Sequence, residues 1–148
     1  MITNDTNANN VKLVLDTVSI SSFLVFPQDM NYAGTLFGGK ILAEMDRAAL
    51  KAARRVLYGT DCDGAVTVSF DKVDFKKPAH LGDIIELTAR ITRFGRTSIQ
   101  IHVQVSKEDH EGKIETICEA SIVFVSVKDG KAHPHYCEFA KQLNHQQN

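Results

Sequence analysis

The stretch from Asn31 to Asp46, NYAGTLFGGKILAEMD, concentrates the residue types in this sequence that could do chemistry. Gly38 and Gly39 stand together at the opening of a helical pattern, where each costs about 1 kcal/mol of helix stability relative to alanine. In return they leave backbone N–H groups open to close approach at the positive end of a helix dipole, which suits a developing negative charge. Tight helix–sheet packing that needs no side chain accounts for the pair equally well. Asp46 follows Gly39 by seven residues. On a helical wheel it falls about 40° from Leu42 and about 20° from Ala53, at the rim of the apolar arc. A carboxylate facing a sheet is costly unless it is paired, opens into a cleft or takes part in a reaction. A salt-bridged boundary residue and a reactive carboxylate both fit that position.

The elements that must position these residues are legible from hydrophobic periodicity. From about Leu36 to Leu57, Leu42, Met45, Ala49, Ala52, Ala53 and Val56 share an arc of roughly 100°, with Glu44, Arg47, Lys51, Arg54 and Arg55 opposite. This predicts one long helix ending before Gly59. A strand over Val11 to Ile20 is expected before it. Four more follow: one from Val66 with a bulge near Asp71–Lys72, then Ile84 to Arg93, Thr97 to Ser106 and Glu115 to Val127. The cleanest alternation sets Ile99, Ile101, Val103 and Val105 against Ser98, Gln100, His102 and Gln104. Turns of a few residues demand antiparallel neighbours, and the helix must bury its stripe on one face of their sheet. The fold class is α+β, a curved antiparallel sheet wrapped around a central helix. Its exposed face and edges predict a dimer or larger assembly. Residues 11–140 form a single domain, residues 1–10 read as disordered, and 141–148 read as a flexible tail.

With 148 residues, 17 basic and 18 acidic side chains and a formal charge of -1, the chain shows no basic excess of the kind nucleic-acid binders carry. No segment has the 18–20 or so apolar residues needed to span a bilayer, so neither nucleic acid nor membrane is an expected partner. The polar, Asn-rich start is no secretory signal. Cys62, Cys118 and Cys137, odd in number and widely spaced, suit reduced thiols in the cytoplasm.

Asn-x-x-Gly-x-x-Phe-Gly-Gly followed seven residues later by Asp resembles the hotdog-fold acyl-CoA thioesterases, specifically the YciA-like cytosolic acyl-CoA hydrolases. The resemblance runs from about Val11 to Val127, through Ala65–Phe70, Phe75-Lys76-Lys77-Pro78 with Gly82-Asp83, and Gly95-Arg96-Thr97-Ser98. It implies hydrolysis of acyl-CoA to free acid and CoA at a dimer interface, in an assembly that is often a trimer of dimers. It also implies that Asp46 of one subunit works with Asn31 of its partner. Asp46 would then be a general base on water or, as the lesser alternative, a nucleophile. Asn31 would orient the water or the carboxylate, and the N–H of Gly39, with that of Gly38, would polarise the thioester carbonyl. Coenzyme A is part of the substrate, and no separate cofactor is implied.

The phosphates of CoA direct attention to Arg96, Thr97 and Ser98, a cation and two hydroxyls at a strand start. Lys76 and Lys77 offer further charge, and Val68 and Ser69 would line the pantetheine channel. A charged hairpin turn that is merely solvated is the plain alternative for each. Two residues depart from the family pattern: Lys40, a cation at the helix start, and Tyr32, large in a loop expected to pack tightly. His133, His135 and Cys137 lack the second ligand pair of a structural zinc site, so no metal is expected, and they follow the last strand near an end read as mobile. His80 precedes a turn rather than lying at the helix start, where a dehydratase on this fold would need it. A non-catalytic acyl-CoA sensor is the rival function, and the presence of both Asp46 and Asn31 favours the enzyme.

Overall fold

A computed structural model describes residues 18–146. The elements are β1 (Val18–Leu24), a 3-10 turn (Pro27–Asp29), α1 (Gly38–Val56), β2 (Gly64–Phe75), β3 (Ile84–Phe94), β4 (Ser98–Glu108), β5 (Ile114–Lys128), β6 (Lys131–Ala132) and α2 (Glu138–Gln146). The main sheet runs β1-β3-β4-β5-β2, every pair antiparallel, and the short β6 pairs with the end of β5. Short turns pair β3 with β4 and β4 with β5. The longer excursion through α1 carries the chain from one edge strand, β1, to the other, β2.

The helix lies across the inner face of this sheet because its sequence leaves one stripe to bury. Ile41, Met45, Ala48, Ala49, Ala52, Ala53 and Val56 are buried, and the four alanines let the helix approach the strands closely. Leu42, expected in the same arc, is only half-buried. The facing layer is the alternating set of the central strand β4, Ile99, Ile101, Val103 and Val105, joined by Ile122 and Phe124 of β5. Arg54 and Arg55 in the last helical turn suit the negative end of the dipole, and Gly59 with φ 81° turns the chain away.

Two boundaries differ from expectation, and β2 carries one bulge more than expected. β1 runs on to Leu24, past Ile20, because Ser21 to Leu24 continue the pairing with β3, although Ser21 and Ser22 carry no hydrophobic signal. The earlier alternation, Val11 to Asp16, and the first ten residues lie outside the described part. β2 has the expected bulge, a register shift between Asp71 and Asp74 with Lys72 at φ 54°, and a second shift between Thr67 and Ser69. The end of the chain, read as a tail from Lys141, is helical to Gln146: Phe139 and Ala140 pack partly against the core and anchor α2.

Candidate active site

Asp46 sits two turns into α1, half-buried, where the helix passes the edge strand β2. Thr67 lies opposite the buried Phe124 and so points to the helix side of the sheet. Its hydroxyl donates to Asp46 Oδ1 at 2.6 Å. No lysine or arginine pairs with Asp46 among the described residues; its partner there is the Thr67 hydroxyl. The second bulge of β2 falls immediately after Thr67, a place where a bulge re-aims side chains. Thr67 was not singled out in the sequence; its signal was a hydroxyl on the face that its strand turns toward the helix.

At the start of α1 the residue before Gly38, Phe37, supplies no side-chain cap. The N–H groups of Lys40 and Ile41 reach Phe37 O, while those of Gly38 and Gly39 have no partner among the described residues. They are free donors at the helix's positive end. The two glycines differ in surroundings. A Cβ on Gly39 would collide with the Phe37 ring, whereas one on Gly38 would make ordinary contact with Phe75 at 3.6 Å. A cavity of about 250 Å³ opens here, lined by Leu36, Gly38, Ile41, Phe75, Lys76 and Pro78. Lys40 is compensated at this end: its Nζ lies 3.1 Å from Glu44 and 3.8 Å from Asp29, and 5.0 Å above the Phe23 ring.

Asn31 shapes the loop before the helix. Its Oδ1 accepts from the N–H of Ala33 and of Thr35, each at 3.0 Å, and its Nδ2 donates to Thr35 Oγ1 at 2.9 Å. With Gly34 at φ 84°, this makes a tight turn that thrusts Tyr32 fully into solvent rather than packing it. Asn31 and Asp46 of one chain make no hydrogen bond with each other among the described residues.

The family model for the thioesterase superfamily matches residues 33–114, more than half of the chain. The chain belongs to the thioesterase superfamily. An uncharacterized acyl-CoA thioester hydrolase of Bacillus subtilis, YkhA, is 37% identical over 113 residues, 74% of this chain and 63% of that protein. This chain therefore spans less than two thirds of YkhA's length. The YciA acyl-CoA thioester hydrolase of Salmonella typhimurium is 33% identical over 75% of this chain and 84% of its own. Among solved structures, a hexameric hotdog fold thioesterase of Campylobacter jejuni aligns with TM-score 0.71 at 35% identity, covering 85% of this chain and 92% of that one. The acyl-CoA hydrolase of Staphylococcus aureus in complex with butyryl coenzyme A and coenzyme A aligns with TM-score 0.73 at 27% identity, covering 90% and 88%. Sheet, helix and relatives agree on the hotdog fold and on membership of the family that includes the YciA acyl-CoA thioester hydrolase.

Several of the remaining expected contacts lie on the face of the sheet away from the helix. Ser98 pairs with Val125, which pairs with Val66, and Ser69 lies opposite Val123; all project away from the helix, opposite to Thr67. Val68, at the second bulge, is exposed on the edge strand. Lys76 is paired with Glu119, whose carboxylate hydrogen bond raises the lysine's pKa; Glu119 is also 3.5 Å from His102. Lys77 is held by Glu115 at 2.9 Å. Arg96 makes no ion pair among the described residues. His80 instead serves the turn before β3, its N–H donating to the buried Asp83 carboxylate at 2.8 Å. No group of three His, Cys, Asp or Glu side chains able to hold a metal occurs among the described residues. His133 pairs with Asp61 at 3.0 Å, and His135 and Cys137 are buried, not part of a mobile end. Among the described residues no helix is long and apolar enough to cross a membrane.

Proposed function

We propose that the chain hydrolyses acyl-CoA at a site shared between two copies, Asp46 coming from one and the helix start with Asn31 from the other. One observation carries this reading. Gly39 and Asp46 are seven residues apart on one helix, about 10 Å along its axis. A base acting through one water and an N–H donor to the thioester oxygen must both reach the same carbonyl within hydrogen-bond distance. On one copy about 10 Å of helix separates them, which argues against bringing both to one carbonyl. Two copies related by a two-fold axis along β2 could do so.

The edge strand supports that pairing. Val66, Val68, Val73 and Phe75 are all exposed along β2, an apolar edge of the kind that seeks a second strand. The same route joins the two faces of the sheet, since a substrate reaching from Asp46 to Arg96, Thr97 and Ser98 must pass around this edge, by Val68 and Ser69. In the Staphylococcus aureus hydrolase, Asn-to-Ala and Asp-to-Ala variants were also solved, and the two altered residues stand 15 apart, as Asn31 and Asp46 do here. A trimer of such dimers would match the hexameric relatives. Placement in the cytoplasm belongs to the same proposal and is supported by three free cysteines. In the mechanism, Asp46 draws a proton from water, held in orientation by Thr67. The water oxygen bonds to the carbonyl carbon while the free N–H groups of Gly38 and Gly39 take the charge that builds on the thioester oxygen; the C–S bond then breaks, Asp46 returns its proton to the sulfur, and CoA leaves as the thiol.

Thiol release should be measured across acyl-CoAs from acetyl to palmitoyl, for the wild type and for Asp46→Asn and Asn31→Ala. Each variant alone should be inactive while still binding CoA. Equal amounts unfolded and refolded together should regain about a quarter of wild-type activity, because half the dimers are hybrids and each hybrid has one intact site of two. No recovery on mixing would refute the shared site. Binding without turnover across the whole panel would instead leave an acyl-CoA sensor.

A further inference from the structure

The segment after β6 holds the Gly95–Ser98 loop from behind. His135 is 3% exposed, and its Nε2 lies 2.8 Å from Gly95 O, while the N–H of Cys137 donates to Nδ1 at 3.3 Å. A carbonyl at one nitrogen and an N–H at the other fix the neutral tautomer with its proton on Nε2. The backbone N–H of His135 donates to Arg96 O at 3.3 Å, and that of Ser126 to Thr97 O at 2.8 Å. The N–H of Gly95 closes the loop on Ser98 O at 2.9 Å. Four successive carbonyls are therefore occupied, and the His135 ring packs edge-on to Phe94 with centroids 5.5 Å apart. The segment is itself tied down: the Ser126 hydroxyl donates to His133 O at 2.6 Å, and the His133 N–H to Ser126 O at 2.9 Å.

The consequence lies on the opposite side of the loop. The N–H groups of Arg96 and Thr97 have no partner among the described residues, and the Arg96 guanidinium has no ion pair there. With its carbonyls occupied, the loop offers two unpartnered N–H donors beside an exposed cation, the arrangement that takes a phosphate. We infer that His135 is a positioning residue for this hydrolase: it touches no substrate, and it holds the Gly95–Ser98 loop in the shape that receives the phosphates of CoA. The inference rests on the proposal that this loop is the CoA contact.

The experiment compares butyryl-CoA with S-butyryl pantetheine, which has the same thioester but no nucleotide phosphates. His135→Phe keeps the ring against Phe94 and removes both polar atoms, and KM for butyryl-CoA should rise about tenfold, the loss of roughly one hydrogen bond's worth of order in the loop. Its kcat, and both constants for the pantetheine thioester, should stay within about twofold. His135→Gln, whose amide can donate to Gly95 O, should recover most of the KM. Ser126→Ala removes a hydroxyl that reaches both His133 O and Thr97 O, without touching the ring, and should shift KM in the same direction by a smaller factor. Equal losses with both substrates, or no change in KM for butyryl-CoA, would overturn the role of His135. Arg96→Ala separates the two ideas. If it raises KM for butyryl-CoA while His135→Phe does not, the loop reading survives and the inference fails. If Arg96→Ala leaves KM unmoved, the loop is not the phosphate contact and both fall.

Discussion

The hydroxyl of Thr67 donates to Asp46 Oδ1 at 2.6 Å, joining an edge strand to the one helix that crosses the sheet. This bond fixes which carboxylate oxygen remains available to water. Thr67→Val, close in shape but unable to donate, should lower kcat about tenfold with little change in KM, equivalent to about 1.4 kcal/mol of transition-state stabilisation. Thr67→Ser should retain most of the rate. Steady-state kinetics on one acyl-CoA decide it, and an unchanged kcat in the valine variant would remove Thr67 from the mechanism.

Alanine at the two helix-start glycines should have unequal effects. At Gly39 the added methyl displaces the Phe37 ring, which is 55% exposed and free to swing across the N–H groups it now borders. At Gly38 the methyl meets Phe75 at ordinary contact distance. Gly39→Ala should keep its thermal midpoint within about 4 °C of wild type, since alanine's helix propensity offsets the ring's movement. Its kcat/KM should fall at least about tenfold, the loss of one transition-state hydrogen bond. Gly38→Ala should lose less, and adding Phe37→Ala to Gly39→Ala should return part of the activity.

Charge on the exposed edge of β2 should separate the copies. Val66→Lys with Val73→Lys sets like charges where two such strands would pair, a device that natural edge strands use against association. Size-exclusion chromatography with light scattering should show a monomer, with thiol release lost. A monomer that retains full turnover would contradict the shared site.

Glu115 gives the fold a defined acid sensitivity. Hydrogen bonds from Lys77 and then Lys113 hold its carboxyl down from 4.5 to about 2, and Lys107 lies 3.9 Å away. Because the folded pKa is depressed, its stabilisation is present above about pH 4.5 and is lost as pH falls through about 2. The difference in thermal midpoint between wild type and Glu115→Gln should be constant near neutral pH and shrink toward zero by pH 2. It should also shrink in high salt, since the carboxylate is open to solvent.

Much of this was legible in the sequence because two signals are strongly periodic. The alanine-rich stripe of α1 and the alternation of Ile99 to Val105 each name one inner face, and together they dictate a helix on a sheet. The candidate residues Gly39 and Asp46 were visible because both break a local rule, glycine inside a helix and a carboxylate on its apolar rim. What escaped depends on contacts between distant segments. Thr67 gains meaning only when β2 lies beside α1. His135 looked like part of a loose end because nothing within its own neighbourhood reveals the Gly95 carbonyl that it meets 40 residues away. β1 was read short at its C-terminal end because Ser21, half-buried, and Ser22, exposed, lack the hydrophobicity that marks a strand.

The spacing of Gly39 and Asp46 along one rigid helix has a kinetic corollary. If neither group serves the carbonyl that the other serves, an isolated chain carries two half-sites and no catalyst. The amount of working enzyme then follows the law of mass action for association, rising with the square of chain concentration when pairs are scarce. Specific activity should fall on dilution below the dissociation constant of the pair, and recover on reconcentration without any change in the chain itself. Within a cell the same dependence would silence stray, newly made chains and switch on turnover only once enough have accumulated to meet.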